Sequence, residues 1–275
     1  MQLWLMRHLW GVTETWEEVF PRIKDSGYVG IEAVIPPPEE RARFRKLLER
    51  YSFEYIPQIS SEGGTVEEHL EAFRQQVETA ATLHPKFINC QTGRDAWSEA
   101  DSARFFEQAL NVEAKARIPV AHETHRSRTL FNPWVTHRLL TQFDDLKLCC
   151  DFSHWVCVCE RLLDDQMDIL RQCSRHCLHL HARVGYEEGP QVPDPRAPEY
   201  QKQLEAHERW WGLIWEAQAA RGLEITTLTP EFGPPNYLHT LPHTNMPVAD
   251  LWDICDWQAK RQAANFARWA AKNRR

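Results

Sequence analysis

The chain has 275 residues, 43% of them hydrophobic and 26% charged, so it can bury a large core. It contains no run of about 18 apolar residues able to cross a membrane. The formal net charge of −7, with no long basic stripe outside the terminal "KNRR", argues against nucleic acid as a partner. The start "MQLWLMRHLWG" lacks a basic leader and a cleavage site, so a cytoplasmic location is expected, with the eight cysteines reduced.

Strand-like and helix-like segments alternate along the whole chain. "LWLMRHLW" precedes "TWEEVFPRIKDSG", where Thr13 or Thr15 caps a helix and Gly27 stops it. "YVGIEAVI" leads to "PPPEERARFRKLLERYS", and "FEYIPQIS" to "TVEEHLEAFRQQVETAATLH", with Val66, Leu70, Phe73 and Val77 on one face. "KFINCQTG" leads to "WSEADSARFFEQALNVEAKA", and "IPVAHETH" to "NPWVTHRLLTQF". "LKLCCDFSH" leads to a single helix over "CERLLDDQMDILRQCSRH". "CLHLHARVG" reaches "PEYQKQLEAHERWWGLIWEAQAARG" through a Pro/Gly-rich loop. "EITTLTPEFG" reaches "DLWDICDWQAKRQAANFARWAAKN" through another. Eight such units without a composition break predict one α/β domain over 1–275, a closed (β/α)₈ barrel. An open doubly wound sheet is disfavoured because no G-x-G-x-x-G turn follows the first strand.

In such barrels the chemistry sits at the carboxyl ends of the strands. Four consecutive strands here end in metal-ligand residues. The fifth ends at Glu123 and His125, the sixth at Asp151 with His154 just beyond, the seventh at His179, His181 and Arg183, and the eighth at Glu231. An apolar strand gains nothing by ending in buried charge unless a partner neutralises it. Glu123, Asp151, His181 and Glu231 form a hard, oxygen-rich set, suited to one divalent ion (Mn²⁺, Mg²⁺ or Co²⁺, with Zn²⁺ admitted). The cysteines at 157, 159, 173 and 177 lack a C-x-x-C pair and are not read as a zinc site.

"HETH", "DFSH", "HLHAR" and "PEFG", in that order, resemble the xylose isomerase-like TIM-barrel superfamily. That superfamily holds sugar isomerases and epimerases related to hydroxypyruvate isomerase, inosose dehydratase and endonuclease IV. The resemblance implies one metal held by Glu123, Asp151, His181 and Glu231, and a substrate contact from His154. It departs from the ketohexose epimerases, since position 187 is Glu and position 129 is Thr where they carry Arg and Glu. It departs from endonuclease IV as well, since strands three and four offer Gln58 and Gln91 in place of metal-binding histidines.

The expected reaction is isomerisation or epimerisation of a small carbohydrate through proton abstraction next to a carbonyl. Glu123 and Glu231 would be the acid/base pair, while Arg183, His154 and His125 would hold substrate oxygens. A keto-sugar or inosose dehydratase and an endonuclease-like phosphodiesterase are the competing readings. The loop "VGYEEGPQVPDPRAP", residues 184–198, exceeds the usual ~2–6 residues of a βα connection. It is expected to cover the barrel mouth and to contact substrate through Gln191 or Tyr186. Barrels of this kind often dimerise, so a homodimer is the assembly to test.

Overall fold

A computed structural model describes residues 1–273, and the last two arginines of "KNRR" lie outside the described residues. Eight parallel strands close into a barrel in sequence order. They are β1 (Gln2–His8), β2 (Gly30–Val34), β3 (Glu54–Ser60), β4 (Ile88–Gln91), β5 (Val120–Glu123), β6 (Lys147–Cys150), β7 (Cys177–His181) and β8 (Ile225–Thr229). The ring is closed by β1 against β8, with Gln2 opposite Ile225 and Leu5 opposite Leu228.

The helices packed outside are α1 (Trp16–Asp25), α2 (Arg41–Tyr51), α3 (Val66–Ala81), α4 (Glu99–Ala116), α5 (Pro133–Gln142), α6 (Phe152–Cys159), α7 (Met167–His176), α8 (Gln201–Ala220) and α9 (Leu251–Lys272). Their starts follow local capping chemistry. The Thr65 hydroxyl accepts from the Glu68 N–H while the Glu68 carboxylate accepts from the Thr65 N–H, and Asn132 accepts from Val135 with Pro133 at the first helical position. Val66, Phe73 and Val77 share the buried face of α3.

The sixth unit differs from expectation: the single helix is two. Asp151 leaves the strand in an extended conformation and its carboxylate accepts from the Ser153 N–H, so "DFSH" starts α6. Glu160 in the left-handed region ends α6 after eight residues, and a short turn through Asp164–Gln166 starts α7. The side chain expected to be a ligand is therefore also a helix cap.

Strand alternation separates barrel interior from helix layer. On β5, His122 points outward to Glu113 on α4 (2.9 Å) and to the Thr92 hydroxyl (2.6 Å). Ala121 packs in the small inner cluster with Met6, Ile56, Phe87 and Cys149. Glu123, two residues on, shares that inward face. All eight cysteines are free. No helix among the described residues is long and apolar enough to cross a membrane.

Candidate metal centre

Glu123, Asp151, His181 and Glu231 come from the ends of β5 to β8, and one ligand atom from each lies within 4.8 Å of the others. All are buried, Glu231 the least at 3% exposure. The strand ends are tied together first. The Thr124 hydroxyl bonds both the N–H and the carbonyl of Asp151, at 2.7 and 2.9 Å. The Asp151 carboxylate then accepts from Ser153 through one oxygen and from Arg183 Nε (3.1 Å) through the other.

His181 is oriented from behind. Its Nε2 donates to Glu32 Oε1 at 2.9 Å, which leaves Nδ1 facing Glu231 Oε2 at 2.9 Å and Glu123 Oε1 at 3.5 Å. A carboxylate on the far nitrogen of a metal-binding imidazole fixes its tautomer and strengthens it as a ligand. Glu32, on β2, is held in turn by Asn89 Nδ2 (2.9 Å) and His179 Nε2 (3.2 Å). Because β2, β4 and β7 are not neighbours, these bonds cross the barrel interior.

The donors fit a cation. Both Glu123 oxygens and His181 Nδ1 are buried without a hydrogen-bond partner. Leaving a buried polar atom unpaired costs about 1–3 kcal/mol, more for a charged one. Three carboxylates against the one guanidinium of Arg183 also leave an uncompensated negative charge, which a dication offsets.

Burial pushes the Asp151 carboxyl up to about 6 despite Arg183. Burial also pushes Glu231 upward, but Arg183 and His181 outweigh it and hold that carboxyl well below the usual range. The Arg183 guanidinium joins Asp151 (3.0 Å) and Glu231. Burial lowers His125 and His154, keeping both imidazoles neutral.

A cavity of about 660 Å³ opens above this cluster, lined on one side by Trp10, His125, Arg183, Glu231 and Tyr237. Arg183 lies 4.9 Å from the centre of the Tyr237 ring and 5.7 Å from that of Trp10. The opposite side carries Arg41, Gln58, Ser60, Gln76 and Gln91. Trp10 thus faces the cavity. Trp155 is core, its indole donating to the Leu130 carbonyl, and Trp134 donates to Gln166 on the surface.

Gln191 and His154, two residues expected to contact substrate, lie outside the lining of the cavity. Gln191 is buried with its amide clamped to the backbone of Gly233, accepting from the N–H (2.6 Å) and donating to the carbonyl (3.1 Å). It braces the turn after Glu231 and stays off the cavity wall. A side chain at Gly233 would collide with Trp10, since a Cβ there would lie 2.2 Å from the indole. His154 is fully buried and is likewise absent from the wall.

The loop over 184–198 is not a lid here. Val184 and Val192 pack in the core and pair through their backbones (2.9 Å), and no residue of the loop lines the cavity. Tyr186 packs on Tyr200 and His239. Gly185 presses against the Ser153 backbone, where a Cβ would approach to 2.5 Å. The loop buttresses the turn that carries Asp151.

Glu32 and Asn89 were not identified from the sequence, and His179 was noted there only as one of the residues ending the seventh strand. The available signal was Glu32 itself, a lone carboxylate in the apolar strand "GIEAV", which needs a buried partner.

The family model for the xylose isomerase-like TIM barrel matches residues 20–198, more than half of the chain. No curated protein matches the sequence. Among solved structures, a xylose isomerase-like TIM barrel protein from Mycobacterium smegmatis in complex with magnesium superposes with a TM-score of 0.64 at 10% identity, covering 96% of this chain and 97% of that one. The 3-keto-D-glucoside 4-epimerase YcjR from E. coli gives 0.59 at 11% identity, covering 98% and 100%. An AP endonuclease, family 2, from Brucella melitensis gives 0.58 at 12% identity, covering 86% and 95%. At these identities the structural likeness establishes the fold alone, and the family model carries the assignment. The chain belongs to the xylose isomerase-like TIM-barrel family.

Proposed function

We propose that the protein is a divalent-metal-dependent isomerase or epimerase acting on a small carbohydrate through proton abstraction next to a carbonyl. One observation carries the reading. Four strand-end donors converge within 4.8 Å beneath a polar cavity, and the atoms of Glu123 and His181 that face the cluster have no other partner. When bound, the cation supplies Lewis-acid polarisation of the carbonyl and the adjoining hydroxyl.

The remaining chemistry belongs to the chain. Glu231 is a ligand that lines the cavity, so it is the carboxylate placed to take the proton. Glu123, fully buried beneath it, acts first as a ligand and completes the acid/base pair from below. Arg183 lines the same wall, where its charge offsets that developing on substrate oxygen, and Trp10 and Tyr237 offer rings for an apolar sugar face.

The test is solvent exchange. In deuterated water the metal-loaded protein should wash deuterium into the carbon beside the carbonyl of keto-sugars or inososes. Loss of water after exchange would assign a dehydratase using the same proton abstraction. Absence of exchange across such a panel, together with cleavage of an abasic-site duplex, would replace the reading with a phosphodiesterase.

A further inference from the structure

We propose that Arg41 binds a carboxylate on the substrate, which makes that substrate an acidic keto-sugar. This deepens the carbohydrate reading above and rests on it. Arg41 opens α2 and lines the cavity on the side opposite Glu231 and Arg183, where it is half-buried. Among the described residues, those that line this side, from β2 to β4 and the segments after them, include no carboxylate.

The guanidinium is held in place yet left without a counter-charge. Pro36, Pro37 and Pro38 precede it, and their fixed φ stiffens the turn after β2. The Glu40 N–H donates to the Pro37 carbonyl (2.9 Å), and Arg41 Nε donates to the Pro36 carbonyl (3.0 Å). That bond uses one of the five N–H donors of the side chain and leaves both Nη groups without an acceptor among the described residues. The next arginines of α2 differ. Arg43 joins Glu17 and Glu40, and Arg45 joins Glu49, all on the exposed surface. Arg41, facing the cavity, has no such partner among the described residues.

The rest of that wall adds donors rather than acceptors. Arg128 Nη2 donates to Gln91 Oε1 (3.4 Å), so Gln91 has its Nε2 donor left for the cavity it lines. A planar guanidinium with its Nη groups free matches a carboxylate in two parallel hydrogen bonds. A phosphate ester carries about −1.5 to −2 charges at pH 7, more than one guanidinium offsets, so the wall favours the carboxylate. With the reacting carbonyl at the ligand set and the carboxylate on Arg41, the substrate spans the cavity and is fixed at both ends.

Matched ligands that differ only at the terminal carbon test the assignment. Metal-loaded protein is titrated by calorimetry with D-fructose, D-fructuronate and D-fructose 6-phosphate, and with the corresponding sets from other keto-sugars. The parent should bind carboxylate members about 10–100-fold tighter than neutral ones, as for hydrogen bonds to a charged group. Arg41→Met should abolish that preference and Arg41→Lys should retain part of it, with melting temperatures checking that each variant is folded. Equal or absent binding of the carboxylate members in the parent overturns the proposal. Tightest binding of the phosphate members overturns it in favour of a phosphoryl group. A preference that survives Arg41→Met places the carboxylate on the metal or on Arg183 and removes Arg41 from its recognition. Deuterium wash-in is measured separately on the same ligands. Preferential binding lost in Arg41→Met, without exchange in the parent, upholds Arg41 and overturns the proton-abstraction reading alone.

Discussion

The two halves of the barrel mouth are built from different chemistry. On the side of β5 to β8 the strands end in buried carboxylates and imidazoles, locked by Thr124, Glu32 and the Gln191 clamp. On the side of β2 to β4 the strand ends offer neutral amides and a hydroxyl, Gln58, Gln91 and Ser60, on side chains that are half-buried, with Arg41 beside them. One half has charge that must be neutralised and so is held rigidly. The other offers donors and acceptors that water can satisfy, so it can be varied without unfolding the barrel. Reaction type should therefore be set by the first half and substrate choice by the second.

The strongest challenge to that division is Glu231→Gln. If the ligand half carries the reaction, deuterium wash-in should fall by at least the ~10²–10⁴-fold of a lost general base, with binding of the carbohydrate retained. Retained exchange would move the chemistry elsewhere.

Acid should weaken the ligand half through its buttress. His207 on α8 donates from Nδ1 to the Gln203 carbonyl (2.8 Å) and accepts at Nε2 from the N–H of Gly185 (3.3 Å), the residue packed on Ser153. Burial lowers its pKa to about 4 from 6.5, so the folded state requires the neutral ring. Its contribution is fully present above the unfolded value and is lost as pH falls through 6.5 towards 4. A shift of this size corresponds to roughly 3 kcal/mol. Urea unfolding across that range should show a shallower loss in His207→Gln than in the parent. Parallel curves would remove His207 from the account.

Glu32→Gln tests whether the β2 side also supports the ligands. Metal affinity by calorimetry should drop ~10–100-fold, as for other partners of ligating histidines, while the ion count is unchanged. An unaltered affinity would make Glu32 a packing residue only.

The smallest effect is expected from Gln58→Ala. One neutral hydrogen bond contributes about 0.5–1.5 kcal/mol, so KM should rise about 2–10-fold at constant kcat. A fall in kcat would place that wall in the reaction and erase the division between halves.

Much of this was legible in the sequence because it is local or periodic. Alternation of strand and helix patterns predicts the barrel, and capping residues such as Thr65 and Asn132 sit where the helices begin. The four donors at strand ends were identifiable because closure of the barrel brings consecutive carboxyl ends to one mouth. What tertiary structure decided are the relations between residues far apart in the chain. The Glu32–His181 bond spans 149 positions and crosses the barrel, and no spacing rule predicts it. The 184–198 loop has the composition of a lid, but Val184 and Val192 gain more from the core than from the mouth, and they draw Gln191 onto Gly233. His154 follows Asp151 by one helical turn, yet whether it faced the cavity or the cluster depended on where α6 begins. Local sequence specifies elements and their ends, because those depend on neighbouring residues. Which buried polar atoms find partners is set only when all eight strands close together.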